Sequence, residues 1–123
     1  MSRHVLTVDD DPLIRRLVQL NLTRAGYRVT TASDGVEALE QLKNEVPDLV
    51  VLDITMPRMD GIELLRRLKA DARTEKVPVV MLTAKAQDQD VFEAERSGAS
   101  CYLNKPFHPT ELLDTIQRTL SEG

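Results

Sequence analysis

The sequence predicts a doubly wound α/β domain, a five-stranded parallel sheet with helices on both faces. Three observations carry that expectation. Short apolar runs alternate with segments of helical period along all 123 residues. Two of the runs, 49–52 (LVVL) and 79–82 (VVML), are apolar at every position, as strands covered on both faces must be. The connections are short, and five strands alternating with five helices in this way imply crossover units, whose right-handedness leaves few arrangements open.

The elements follow in order. Residues 5–8 (VLTV) form the first strand. Asp11-Pro12 then supplies a capping residue and a first-turn proline for a helix over 12–25, with Ile14, Leu17, Val18, Leu22 and Ala25 as its apolar stripe and Gly26 as its stop. Residues 27–31 (YRVTT) alternate apolar and polar, which suits an edge strand. A second helix over 34–45 turns Val36, Leu39 and Leu42 inward. After the strand at 49–52, a third helix over 61–70 does the same with Ile62, Leu65 and Leu68. The fourth strand lies within 77–82. The helix expected over 87–97 is the most polar, with Val91, Phe92 and Ala94 as a weak apolar side and Gly98 as its end. Residues 99–103 form the fifth strand, and 109–120 a last helix carrying Leu112, Leu113, Ile116 and Leu120. No repeat, low-complexity segment or linker interrupts the pattern, so 1–123 reads as one domain.

Composition narrows the function classes. Hydrophobic residues make up 41% and charged residues 29%, an ordinary globular mixture and not a disordered one. The net charge of −4 gives no support for nucleic-acid or membrane binding, which leave a basic excess. The doublets Arg15-Arg16 and Arg66-Arg67 read as solvated helix faces. Cys101 is the single cysteine and forms no internal disulfide, which fits a reducing, cytoplasmic setting. The longest apolar runs are strand-length, far below the roughly 20 residues of a spanning helix, and no signal peptide is evident. Met1-Ser2 and Ser121-Glu122-Gly123 read equally as natural termini or as the cut ends of a domain from a longer protein.

In a doubly wound sheet, ligands bind beyond the carboxyl ends of the strands. Here those ends carry Asp9-Asp10-Asp11 after the first strand, Asp53 after the third, Thr83-Ala84 after the fourth and Lys105-Pro106 after the fifth. Asp11 reads as a helix cap. Asp9 and Asp10 fit either that capping turn or metal ligation, and Asp53 on a second strand favours the metal. Clustered carboxylates repel by several kcal/mol on a rough Coulomb estimate, and a divalent cation removes the conflict. Hard oxygen donors suit Mg²⁺, which takes one or two carboxylates, several waters and a phosphate. Thr83 and Lys105 offer a hydroxyl and a point-charge ammonium suited to phosphoryl oxygens.

With "TVDDDP", "VLDITMPRMDG", "MLTAKA" and "YLNKPF" in this order and spacing, residues 4–120 resemble the receiver domains of two-component response regulators of the chemotaxis-regulator kind. The resemblance implies a flavodoxin-like sheet of order 2-1-3-4-5 flanked by five helices. It implies that Asp53 accepts a phosphoryl group from the phosphohistidine of a sensor histidine kinase or histidine phosphotransfer protein. Asp10 and Asp53 would ligate Mg²⁺ directly, or Mn²⁺ as a substitute, with Asp9 acting through water and the backbone carbonyl of Thr55 completing the set. Lys105 would bind the phosphoryl group, Thr83 and Tyr102 would act as the switch pair, and the Lys105–Pro106 peptide would be cis. Phosphorylation would alter the face made by the fourth helix, fifth strand and fifth helix, controlling a separate target or a fused output domain. Such a protein is a signalling switch with intrinsic autophosphorylation and autodephosphorylation, and not a turnover enzyme.

Two details depart from the commoner pattern. Where many dimerising regulators have "GADDYL", this chain has Gly98-Ala99-Ser100-Cys101-Tyr102-Leu103 and lacks the acidic pair. Thr55 and Lys85, each two residues beyond a site residue, occupy positions that influence acyl-phosphate lifetime in the family. Leu13, Leu20, Pro106 and Phe107 read either as ordinary packing or as part of a kinase-docking surface. Two rival functions are a Mg²⁺-dependent phosphohydrolase, disfavoured by Thr55 where such enzymes carry a second aspartate, and an unphosphorylated interaction module, disfavoured by the intact Asp10, Asp53, Thr83 and Lys105 set.

Overall fold

The computed structural model describes residues 3–53, 61–83 and 98–122, and within them the elements run β1 (His4–Val8), α1 (Pro12–Arg24), β2 (Arg28–Ala32), α2 (Gly35–Asn44), β3 (Leu49–Asp53), α3 (Gly61–Ala70), β4 (Val79–Thr83), β5 (Cys101–Asn104) and α4 (Pro109–Glu122). The helix expected over 87–97 lies outside the described residues. The strands form one parallel sheet in the order β2-β1-β3-β4-β5. Both the architecture and the edge position of β2 match the sequence expectation.

Strand periodicity divides the core in two, because successive side chains point to opposite faces. Leu6, Val8, Val50, Leu52, Val79 and Met81 face Ala38 and Leu42 of α2 and Leu64, Leu65 and Leu68 of α3. Val5, Leu49, Val51, Val80, Leu82 and Leu103 face Val18 and Leu22 of α1 and Leu112, Ile116 and Leu120 of α4. β1, β3 and β4 are buried at every position. Each fully buried Leu, Val or Ile contributes about 1.5–3 kcal/mol of transfer free energy, so the central strands anchor the rim that follows them.

Helix starts are set by aspartates. The Asp11 carboxylate accepts from the Leu13 amide at 2.9 Å and the Ile14 amide at 3.4 Å, and Asp34 accepts from the Glu37 amide at 2.8 Å. Gly26 and Gly98 adopt φ of +97° and +102°, the left-handed region that glycine enters without a Cβ penalty.

Three residues assigned inward are exposed: Leu17 at 44%, Val36 at 39%, and Ala25, which caps the C-terminus of α1 instead of joining its stripe, while Leu64, not assigned inward, is fully buried. In α1 the buried ridge is the i, i+4 series Ile14, Val18 and Leu22, which places Leu17 on its flank beside Leu13 and Leu20. In α2 the ridge runs through Ala38 and Leu42, so Val36 stands to one side. In α3 the stripe is wide enough to take both Leu64 and Leu65.

Candidate functional site

The sheet register brings the chemistry-bearing residues to one rim. Val8 pairs with Leu52 and Thr83 with Asn104, so Asp9, Asp53, Thr83 and Lys105 leave neighbouring strands at nearly the same level. Asp9 is fully buried, Asp53 is 5% exposed and Thr83 3% exposed, whereas Asp10 faces solvent. Lys105 follows β5 directly, before a cis Lys105–Pro106 peptide.

Lys105 is the electrostatic centre of this rim. Its Nζ lies 2.9 Å from Asp9 Oδ2 and 3.3 Å from Asp53 Oδ1. Burial alone would lower the Lys105 ammonium, but the hydrogen bond to Asp9 and the charge of Asp53 outweigh it and hold it above its ordinary value. Asp53 moves the other way from an isolated ion pair. Burial first, and the Asp9 charge second, push its carboxyl up to about 6 despite Lys105. One lysine is insufficient counter-charge for this carboxylate cluster.

The donor set is chemically suited to a hard divalent cation. Ligand atoms of Asp9, Asp10 and Asp53 all lie within 4.8 Å of one another. The Asp9 carboxylate is already engaged on both sides, Oδ1 accepting from the Asp11 amide at 2.9 Å and Oδ2 from Lys105. Among the described residues no hydrogen bond reaches the Asp10 carboxylate or Asp53 Oδ2. Thr55, expected to add a backbone carbonyl, lies outside the described residues, as do Ala84 and Lys85.

Thr83 is brought to the same rim and is engaged with β5. Its hydroxyl donates to Asn104 Oδ1 at 3.2 Å. Tyr102, two residue pairs back along β5 and opposite Met81, is half-buried against the core face shared with α2 and α3. Two participants escaped sequence reasoning. Asn104 stands directly before Lys105 in "YLNKPF", and parallel pairing with Thr83 is the only signal of its role. Arg15, read as a solvated position, is half-buried and its Nη1 donates to the Asp9 backbone carbonyl at 2.9 Å.

A family model described as the response regulator receiver domain matches residues 5–117. The chain belongs to this family. The receiver domain is 46% identical over 122 residues to the alkaline phosphatase synthesis transcriptional regulatory protein PhoP of Bacillus subtilis, a match covering 98% of this chain and 49% of that protein. It is 37% identical to the phosphate regulon transcriptional regulatory protein PhoB of Escherichia coli, over 98% of this chain and 52% of PhoB. The chain therefore spans about half the length of these regulators.

Solved structures agree in fold. The chemotaxis protein CheY4 of Vibrio cholerae superposes with a TM-score of 0.93 at 37% identity, covering 97% of this chain and 99% of that one. The receiver domain of the sensor histidine kinase PA1611 from Pseudomonas aeruginosa, solved with a magnesium ion coordinated in its active-site cleft, gives a TM-score of 0.90 at 30% identity, covering 98% and 99%. Among the described residues no helix is long and apolar enough to cross a membrane.

Proposed function

We propose that this receiver domain is a phosphoacceptor switch in which Asp53 takes a phosphoryl group from a phosphohistidine. The observation that carries the reading is the Asp53 carboxylate itself, 5% exposed at the end of a buried strand, with Lys105 Nζ 3.3 Å from one oxygen and ligand atoms of Asp9 and Asp10 within 4.8 Å. The strand fixes the nucleophile. An Asp53 oxygen forms the new bond to phosphorus as the phosphorus–nitrogen bond breaks, and the imidazole leaves with a proton from solvent.

Asp10 and Asp53 are the residues that would hold Mg²⁺ directly, with Asp9 behind them. When bound, the cation supplies the positive charge that Lys105 alone does not, for the carboxylates and for the transferred group. Lys105 can follow the charge from Asp53 to the phosphoryl oxygens, since its ammonium is a point charge on a flexible stem. The phosphoryl group adds about 1.5 to 2 negative charges and strong acceptor oxygens. Thr83 then exchanges its bond to Asn104 for one to the new group, and Tyr102 follows the vacated space. The population of the surface around β5 and α4 shifts as a result, and a partner that distinguishes the two states reads the signal.

The source of the phosphoryl group is a sensor histidine kinase or histidine phosphotransfer protein. The coverage of PhoP and PhoB supports an output that lies in a fused domain or a separate target. The same site autophosphorylates from small donors and hydrolyses its own acyl phosphate.

The test is incubation with Mg²⁺ and acetyl phosphate, followed by intact mass spectrometry. One phosphoryl group is expected, stable in acid and labile in base, absent without Mg²⁺ and absent in Asp53→Asn, while the exposed helix residue Asp114→Asn labels normally. Labelling that survives in Asp53→Asn refutes the assignment.

A further inference from the structure

We propose that Arg15 is a positioning residue for the cation site, acting through the Asp9–Asp10 peptide; this rests on the reading of Asp10 as a Mg²⁺ ligand. The turn from β1 to α1 is tied down on each side of Asp10. Asp9 donates its amide to the Ala32 carbonyl at 3.1 Å and accepts the Asp11 amide on its carboxylate at 2.9 Å. Asp11 is fixed by its side chain to the amides of Leu13 and Ile14. Asp10 has no such tether among the described residues, and its carboxylate is the exposed member of the acidic cluster. The plane of the peptide before it sets the direction in which its side chain leaves the backbone.

That plane is where Arg15 acts. Nη1 donates to the Asp9 carbonyl oxygen at 2.9 Å, across six residues of sequence. The peptide is planar, so holding its oxygen also fixes the direction of the Asp10 amide and the starting direction of its side chain. A carbonyl in a turn has an alternative partner in water. A charged guanidinium on a helix anchored by Val18 and Leu22 is the stronger and more rigid donor. The position has an electrostatic drawback, since a cation beside a dication opposes its binding. If Arg15 were a spectator, neutralising it would tighten Mg²⁺ binding. If it positions Asp10, neutralising it weakens binding. The two accounts predict opposite signs.

The experiment is a Mg²⁺ titration of wild type, Arg15→Met and Arg15→Lys, followed by the amide chemical shifts of residues 9–11 in ¹⁵N-labelled protein. Urea unfolding in EDTA, run in parallel, reports fold integrity. Residues that orient a metal ligand typically contribute about 10–100-fold in affinity, and Arg15 stands one bond-network further out, so about 10-fold weaker binding is expected for Arg15→Met. Its Asp10 amide should shift even without Mg²⁺. Arg15→Lys keeps a charged donor and should recover most of the affinity. Equal or tighter binding in Arg15→Met overturns the proposal, and so does equal weakening in both variants. Absence of Mg²⁺-dependent shifts in wild type overturns the cation reading itself and leaves Arg15 without this role.

Discussion

Replacing Asp53 by Asn should stabilise the cation-free protein at neutral pH, although it removes the residue on which the proposed function depends. The Asp53 carboxyl titrates at about 6 in the folded chain against 3.8 for a free aspartate, because burial and Asp9 outweigh Lys105. A raised folded value means that the native state holds this proton more tightly than the unfolded chain. The associated stabilisation is complete below pH 3.8 and is lost as pH rises through about 6. At pH 7.5 the ionised carboxylate is therefore a strained component of the fold. A difference of about two pH units corresponds to roughly 3 kcal/mol. Water and ions at an open rim screen part of this, leaving about 1–2 kcal/mol. The Asn amide oxygen can still accept from Lys105, which keeps its 2.9 Å contact with Asp9. The assay is urea unfolding by far-ultraviolet circular dichroism in EDTA at pH 7.5 and pH 4. Asp53→Asn should be more stable by about 1–2 kcal/mol at pH 7.5, equivalent to a rise of roughly 3–8 °C in Tm. At pH 4 the gain should fall to near zero. A variant less stable than wild type at pH 7.5, or an equal gain at both values, would show that the site is not electrostatically strained in this way.

Three further outcomes can be checked by the same unfolding assay. His4 is buried at the start of β1, with its Nε2 2.9 Å from Thr30 Oγ1, and its pKa is lowered, first by burial and then by Arg28, against the charges of Glu45 and Asp48. A lowered folded value gives stability that is complete above about pH 6.5 and lost as pH falls below it, so His4→Gln should flatten the decline in stability between pH 7.5 and 6. Asp11→Ala removes the cap of α1 and should lower stability by about 1 kcal/mol. Gly98→Ala should be more damaging than Gly26→Ala: both sit at positive φ, but an added Cβ at Gly98 meets the Lys69 stem at 3.2 Å, whereas at Gly26 nothing lies within 4 Å. The Gly26 change should remove about 1 kcal/mol, and equal losses at the two sites would mean that Lys69 yields freely.

The legibility of the molecule in its sequence varies with the kind of interaction involved. β3 and β4 could be read because burial on both faces demands an unbroken apolar run, and Asp53 stood out as a carboxylate placed after one. The register that aligns Asp9, Asp53, Thr83 and Lys105 followed from parallel strands. Helix faces were read less well, because Leu17 and Val36 are apolar residues beside the buried ridge, and hydrophobicity alone does not distinguish flank from centre. Contacts between a side chain and a distant backbone atom left no signature. Nothing in Arg15-Arg16 distinguishes the guanidinium that reaches the Asp9 carbonyl from its exposed neighbour. The Thr83–Asn104 bond was similarly hidden, since it depends on register across two strands. The His4, Thr30 and Glu45 cluster at the start of β1 is a third case, formed by residues that individually look like ordinary edge polarity.

The span of the Lys105 contacts has a consequence for how the protein is made. Asp9 and Lys105 are 96 residues apart in the chain, and Asp53 and Lys105 are 52 apart. During synthesis the carboxylates emerge long before their lysine, and β5 is the last strand of the sheet to be made. A nascent or half-assembled chain thus presents acid groups without the ammonium that makes them a site. The ion-paired rim is completed only when β5 is in place, so the Lys105 contacts report completion of the sheet.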